Sequence, residues 1–83
     1  MPAKYTVLAL AVPTAFADKT LRELDLRVRY GITVLAIRTE TASGYEDSLP
    51  QPDQPLLTGD TLILAGPRED ITQLQHQVHE KPS

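Results

Sequence analysis

Apolar and polar residues along the chain follow two different periods, one typical of strands and one typical of helices. Residues 5–12, YTVLALAV, contain several β-forming residues and no helical spacing of polar positions. This run predicts a strand that is buried on both faces or nearly so. Further along, Leu21, Leu24 and Val28 fall at i, i+3 and i+7, which predicts a helix with one apolar stripe.

Residues at both ends of this helix have capping chemistry. Asp18 is expected to accept from free backbone N–H groups at the start, and Gly31 suits a left-handed C-terminal cap. Residues 32–37, ITVLAI, then predict a second buried strand. Residues 45–49 are expected to form a short edge strand after a turn.

The second half of the chain begins with a proline-rich connection and ends with a helix. Residues 50–55, PQPDQP, predict a stiff extended segment. Gly59 and Asp60 predict a turn before a last strand at residues 61–66. Pro67 suits the first turn of a helix. The apolar side of this helix is expected to carry Ile71, Leu74 and Val78.

The predicted order is β-α-β-β-β-α, which favours an α+β sandwich with helices packed on a small, mostly antiparallel sheet. Residues 1–83 are expected to form a single domain, with a core from about 5 to 79 and a frayed tail at 80–83. So short a chain has a thin core, and without cysteine it has no disulfides. A homodimer would supply further burial.

Charge is distributed unevenly along the sequence. The net charge of −3 argues against general nucleic-acid binding. Residues 1–40 hold six basic and four acidic side chains (+2), whereas residues 41–83 hold two and seven (−5). Arginines at positions 22, 27, 29 and 38 therefore mark a candidate anion site in the first half. The longest apolar run, residues 7–12, is far too short for direct membrane insertion.

Two segments together carry a resemblance to a known family: KTLRELDLRVRYGITVLAIRTE, and LPQPDQPLLTGDTLILAG. Their joint order and spacing resemble the TrkA-C domain, also called RCK-C, over nearly the whole chain. The resemblance implies a cytoplasmic regulatory, ligand-sensing domain of a potassium, cation or other solute transport system. It also implies homodimerisation, a transporter or channel subunit as partner, and a small ligand in the dimer cleft.

In one branch of that family the ligand is cyclic di-AMP, and part of the branch's binding pattern is present. Asp25 and Arg27 match it, while Val34 and Leu21 fit its aliphatic positions. Thr33 stands where the pattern has Asn or Ile. A further departure is Arg22, where the pattern prefers an aliphatic residue. The candidate ligand-binding residues are Arg27, Asp25, Thr33, Ile32, Val34 and Leu21.

Each charged candidate also has an interpretation that involves no ligand. A guanidinium offers paired donors to phosphate oxygens, so a two-fold dimer would present two Arg27 side chains to a two-fold ligand. Alternatively, Arg27 pairs with Glu23 and Asp25 with Arg29, both at i, i+4 on a solvated helix. For Thr33, Ile32 and Val34 the alternative is strand packing.

The same sequence lacks the motifs of catalysis and of metal binding. No cysteine nucleophile, Gly-x-Ser-x-Gly or Walker loop is present, which predicts that the chain is not an enzyme. His76 and His79 have helical spacing but no evident third ligand, so no metal or other cofactor is expected. The remaining alternative function is a purely structural dimerisation module of a transporter, with no ligand.

Overall fold

A computed structural model describes residues 4–79 as three helices and a 3₁₀ turn packed against one sheet. The elements, in chain order, are β1 (Tyr5–Ala11), a 3₁₀ turn (Thr14–Phe16), α1 (Leu21–Leu24), α2 (Leu26–Tyr30), β2 (Thr33–Thr41), β3 (Gly44–Ser48), β4 (Thr61–Pro67) and α3 (Arg68–Val78). The sheet order is β1-β4-β2-β3, and each neighbouring pair is antiparallel. The predicted α+β class is confirmed.

The core lies on the face of the sheet that the helices cover. Strand β4 is central, and its side chains Leu62 and Leu64 are fully buried. They belong to one hydrophobic cluster with Ile32 before β2, Leu56 before β4 and Leu74 on α3. A strand with neighbours on both sides and helices above it loses more apolar surface to the core than an edge strand does.

No element among residues 4–79 covers the opposite face of the sheet, so the prediction that β1 is buried on both faces, or nearly so, is wrong. Along β1 the side chains alternate between the two faces; Tyr5 and Val7 remain 74% and 64% exposed. We call the uncovered surface the open face. By strand register it includes the apolar or small residues Tyr5, Val7, Ala9, Ala11, Ala36, Ile63 and Ala65, and the polar residues Thr33, Arg38, Asp47 and Thr61.

The predicted continuous helix is also wrong, because the chain breaks at Asp25. This residue adopts φ 50° and ψ 48°, in the left-handed region, and separates α1 from α2. The break changes the phase of the following turn. As a result Leu26 is buried, with 5% exposure, whereas the predicted core residue Val28 is 80% exposed.

The helix caps differ in part from those expected. Thr20, rather than Asp18, caps α1, and its hydroxyl accepts from the backbone N–H of Glu23 while Glu23 bonds back to Thr20. Asp18 instead adopts a positive φ of 66°. The left-handed cap at Gly31 is confirmed, with φ 69°.

The remaining strands agree with the predicted elements but differ in their bounds. β2 runs to Thr41, beyond the predicted residue 37, because its second half pairs with β3. β3 is the predicted edge strand, and Pro67 ends β4 instead of entering the helix. The expected frayed tail, residues 80–83, lies outside the described residues. None of the helices in residues 4–79 has the length and apolar character needed to cross a bilayer.

Candidate functional site

A cleft of about 520 Å³ lies between the two short helices, the start of β2 and the proline segment, residues 50–55. Its lining brings together every ligand-binding residue predicted from the sequence: Leu21, Asp25, Arg27, Ile32, Thr33 and Val34. Four further residues, which were not on that list, complete the lining: Arg22, Leu26, Pro50 and Pro52.

The tight turn between α2 and β2 places the charged and the apolar parts of the cleft side by side. The backbone N–H of Gly31 donates to the carbonyl of Arg27 at 2.9 Å, and that of Ile32 donates to the carbonyl of Leu26 at 3.2 Å. These two bonds end α2 in a left-handed turn. Since Ile32 is buried, the turn is anchored in the core while Arg27 stays exposed beside Thr33.

The cleft lies along a free part of the edge of β2. Strand β3 pairs with β2 only from Ile37 to Thr41, so residues 33–36 have no strand neighbour on that side within the described chain. Thr33 lies opposite Ala65 on the open face, whereas Val34 lies opposite the buried Leu64. The cleft is therefore reached from the edge of the sheet and is continuous with the open face through Thr33.

Arg27 and Asp25 both reach this cleft without an ion-pair partner. Within residues 4–79 the salt bridges join Arg22 to Asp53 and Arg38 to Asp47. The side chains of Arg27 and Asp25 line the same cavity. A guanidinium and a carboxylate are thus available together to a ligand that carries an anionic group and a hydrogen-bond donor.

The ion pairs proposed as alternatives from helix spacing are not formed. Glu23 turns back into the capping box with Thr20, so it does not pair with Arg27. Asp25 and Arg29 form no salt bridge, because the left-handed residue at Asp25 interrupts the regular helix on which the i, i+4 geometry depends. Arg29 lies over the ring of Tyr30 instead, 5.6 Å from its centroid.

Arg22 is held at the rim of the cleft by a residue distant in sequence. Its Nε donates to Asp53 Oδ1 at 2.7 Å, and its Nη2 donates to Asp53 Oδ2 at 3.3 Å. This hydrogen-bonded guanidinium lowers the pKa of Asp53 from its usual range. The pair links α1 to the proline segment.

The prolines of the wall were not assigned to the site from the sequence, although a signal for them was present. Three prolines follow the edge strand β3 at positions 50, 52 and 55. A stiff segment that leaves an edge strand has to return across the end of the sheet, where α1 lies. Leu26 was missed because the helix was expected to continue with unbroken phase.

The described residues hold no cluster of three or more histidine, aspartate or glutamate side chains able to bind a metal ion. The cleft itself combines two guanidinium groups, one carboxylate, one hydroxyl and an apolar lining of leucine, isoleucine, valine and proline. Such a lining suits a small ligand with a flat apolar part and an anionic part.

The sequence matches one protein-family model, and the fold is similar to several solved structures. The family model described as the TrkA-C domain matches residues 6–79. No curated protein matches the sequence. Among solved structures, the chain is similar to the RCK C domain of the potassium transport protein KtrA in complex with cyclic diadenosine monophosphate. The identity is 27% and the TM-score 0.75, over 90% of this chain and 85% of that one.

A second similar structure is the RCK domain of GsuK, at 28% identity and a TM-score of 0.73. The match covers 89% of this chain but 16% of the GsuK chain, so it involves one part of a much larger protein. The RCK_C domain dimer of S. agalactiae BusR, in complex with c-di-AMP, shares the fold at 20% identity and a TM-score of 0.60, over 92% of this chain and 90% of that one.

Proposed function

This chain belongs to the TrkA-C domain family, and from that premise we propose that it is a regulatory, ligand-sensing domain of a potassium or other cation transport system. The role is regulatory rather than catalytic. Its place is on the cytoplasmic side of the membrane, and its partner is a transporter or channel subunit. We treat residues 1–83 as one such domain.

The observation that carries the proposal is the unpaired Arg27 in the cleft. A guanidinium that makes no salt bridge within residues 4–79 keeps its donors for an incoming anion. Asp25, in the same cleft, accepts from an amino group, and Thr33 supplies a hydroxyl that can donate or accept. A nucleotide base would pack against the apolar lining.

Cyclic di-AMP combines chemical features that are complementary to the lining of this cleft. It carries two phosphodiester charges, two flat bases with amino groups, and two-fold symmetry. A solved relative of this chain, the KtrA RCK C domain, holds it as a ligand. We therefore propose cyclic di-AMP as the ligand, with Arg27 of each protomer at one phosphate and Asp25 at one base.

A second copy of the chain is the proposed occupant of the open face. This surface exposes the apolar residues Tyr5 and Val7 beside the small residues Ala9, Ala36 and Ala65. Small residues let two sheets approach closely, and burial of apolar surface drives their association. Because Thr33 belongs both to this face and to the cleft, a two-fold contact here would bring the two clefts towards one another.

Ligand binding would act on the transporter by population shift. A ligand that bridges two protomers stabilises one arrangement of the dimer over others by its difference in affinity for the two arrangements. A partner attached to the dimer then experiences the change in geometry. The chemistry of the cleft predicts which molecule binds, whereas the sign of the regulation is a property of the partner.

Isothermal titration calorimetry of the purified chain with cyclic di-AMP tests the proposal, with AMP and ATP as comparison ligands. We expect binding at one cyclic di-AMP per dimer and much weaker binding of the mononucleotides. Absence of heat at high ligand concentration would reject cyclic di-AMP. The choice would then be between another ligand and a purely structural dimerisation module.

Arg27→Ala, with Arg29→Ala as its matched control, tests the site itself. Both arginines are exposed on α2, but only Arg27 lines the cleft. Loss of a hydrogen-bonded charge costs about 1.5–3 kcal/mol per contact, so two copies per dimer predict a loss of affinity on the order of 10²–10⁴-fold for Arg27→Ala. Unchanged affinity in that variant, in a folded dimer, would remove Arg27 from the proposed site.

A further inference from the structure

We propose that the Arg22–Asp53 ion pair positions the proline segment as the outer wall of the cleft, so that a ligand meets a preformed rather than a mobile wall. This inference rests on the proposed function, because it concerns how the same cleft is made ready for its ligand. Arg22 and Asp53 are positioning residues in this account, and the prolines of the segment supply the surface that the ligand contacts.

Backbone hydrogen bonds align the proline segment with the start of α1. The N–H of Arg22 donates to the carbonyl of Pro52 at 3.0 Å. Beyond it, Thr20 and Pro55 form an isolated antiparallel bridge, and the N–H of Leu56 donates to the carbonyl of Lys19 at 2.8 Å. The segment therefore runs beside residues 19–22 and carries Pro50 and Pro52 to the cleft.

Apolar packing does little to hold this segment in place. Residues 51–55 are all exposed, and the first buried side chain after them is Leu56. At the cleft the wall is thus held by polar contacts to α1: the backbone bond at Pro52 and the bidentate pair of Arg22 with Asp53. A bidentate guanidinium–carboxylate pair fixes orientation as well as distance, which a single hydrogen bond does not.

The same geometry makes Arg22 a poor direct ligand for an anion. Its Nε and Nη2 already donate to Asp53, so only the Nη1 side of the guanidinium remains for a phosphate, and the neighbouring carboxylate offsets its charge. The two roles predict opposite effects of removing the Asp53 charge. A positioning role predicts weaker ligand binding in Asp53→Asn, whereas a direct role for Arg22 predicts tighter binding, since the guanidinium is released.

The first measurement is amide hydrogen exchange of the complete chain without ligand. Asp53→Asn should speed exchange at the amides of Arg22 and Gln54, which donate to Pro52 and Gln51. Asp47→Asn is the matched control, because it removes the other bidentate pair, with Arg38, and neither of these two residues lines the cleft. If the amide of Arg22 were protected from exchange equally in Asp53→Asn and in the unmodified chain, the proposal would be overturned, whether or not any ligand binds.

The second measurement is the affinity for cyclic di-AMP by calorimetry. Arg22→Ala and Asp53→Asn should each weaken binding several-fold, and the exchanged pair Arg22→Asp with Asp53→Arg should restore most of it. Failure of the exchanged pair, or tighter binding by Asp53→Asn, would assign Arg22 to direct contact and refute the positioning role. If the unmodified chain binds no cyclic di-AMP, the proposed ligand fails, and the exchange measurement still decides the role of the ion pair.

Discussion

Asp25 has a backbone conformation that its own side chain does not explain, and this makes it a sharp test of how the site is built. It lies at φ 50° and ψ 48° between α1 and α2. Its carboxylate forms no capping hydrogen bond, and no salt bridge to any other residue of the described part of the chain. We infer that the buried leucines on either side, Leu24 and Leu26, impose the break because both have to reach the core.

The expected energies follow from the left-handed conformation. A Cβ atom in this region costs about 1–2 kcal/mol, and aspartate tolerates it better than most residues. Glycine avoids that cost but loses about 0.5–1 kcal/mol more to conformational entropy. Asp25→Gly should therefore leave stability unchanged or raise it by up to about 1 kcal/mol, and Asp25→Ala should lower it by about 1 kcal/mol.

Urea and thermal unfolding of the two variants provide the measurement. For a domain of this length, 1 kcal/mol corresponds to a shift of about 4–8 °C in the melting temperature, so the two variants should differ by at least that amount. Asp25→Asn is the control, because asparagine accepts the left-handed region and removes only the charge. If Asp25→Ala were as stable as Asp25→Gly, the backbone argument would be refuted.

The same three variants separate the structural role of Asp25 from its role in binding. Asp25→Asn is expected to keep the stability of the original chain and to bind cyclic di-AMP less tightly, because an amide accepts less strongly than a carboxylate from a base amino group. Unchanged affinity in Asp25→Asn would leave Asp25 with its conformational role alone.

Two further predictions concern the open face and the second ion pair. Val7→Asp should convert the proposed dimer to monomers in analytical ultracentrifugation, whereas Val28→Asp, at an exposed valine on α2, should leave it intact; the reverse result would place the interface on the helical side. Arg38 lowers the pKa of Asp47 below its unfolded value, so the stability from this pair is complete above about pH 5 and is lost as the pH falls through the lowered pKa. The difference in unfolding free energy between the original chain and Asp47→Asn should therefore shrink between about pH 5 and pH 2, and a constant difference would contradict this account.

Local signals in the sequence were enough to predict the element types and most of the candidate site. Strands and helices follow from periods of two and 3.6 residues, and Gly31 marks the end of α2 because few other residues adopt a positive φ there. Asp25, Arg27 and Thr33 were grouped through the resemblance to one branch of the TrkA-C family, and in the structure a helix, a tight turn and the start of a strand bring them to one cleft. The resemblance to the TrkA-C family rested on the same local order.

Only the tertiary structure decided the features that depend on contacts between distant residues. The break at Asp25 exchanges Val28 for Leu26 in the core, because burial of neighbouring leucines outweighs helix continuity. Arg22 meets Asp53, 31 positions away, only once the proline segment has crossed to α1. Whether a strand is covered on one face or on both depends on how many helices are available to cover it, and the apolar pattern of β1 alone contains no such information.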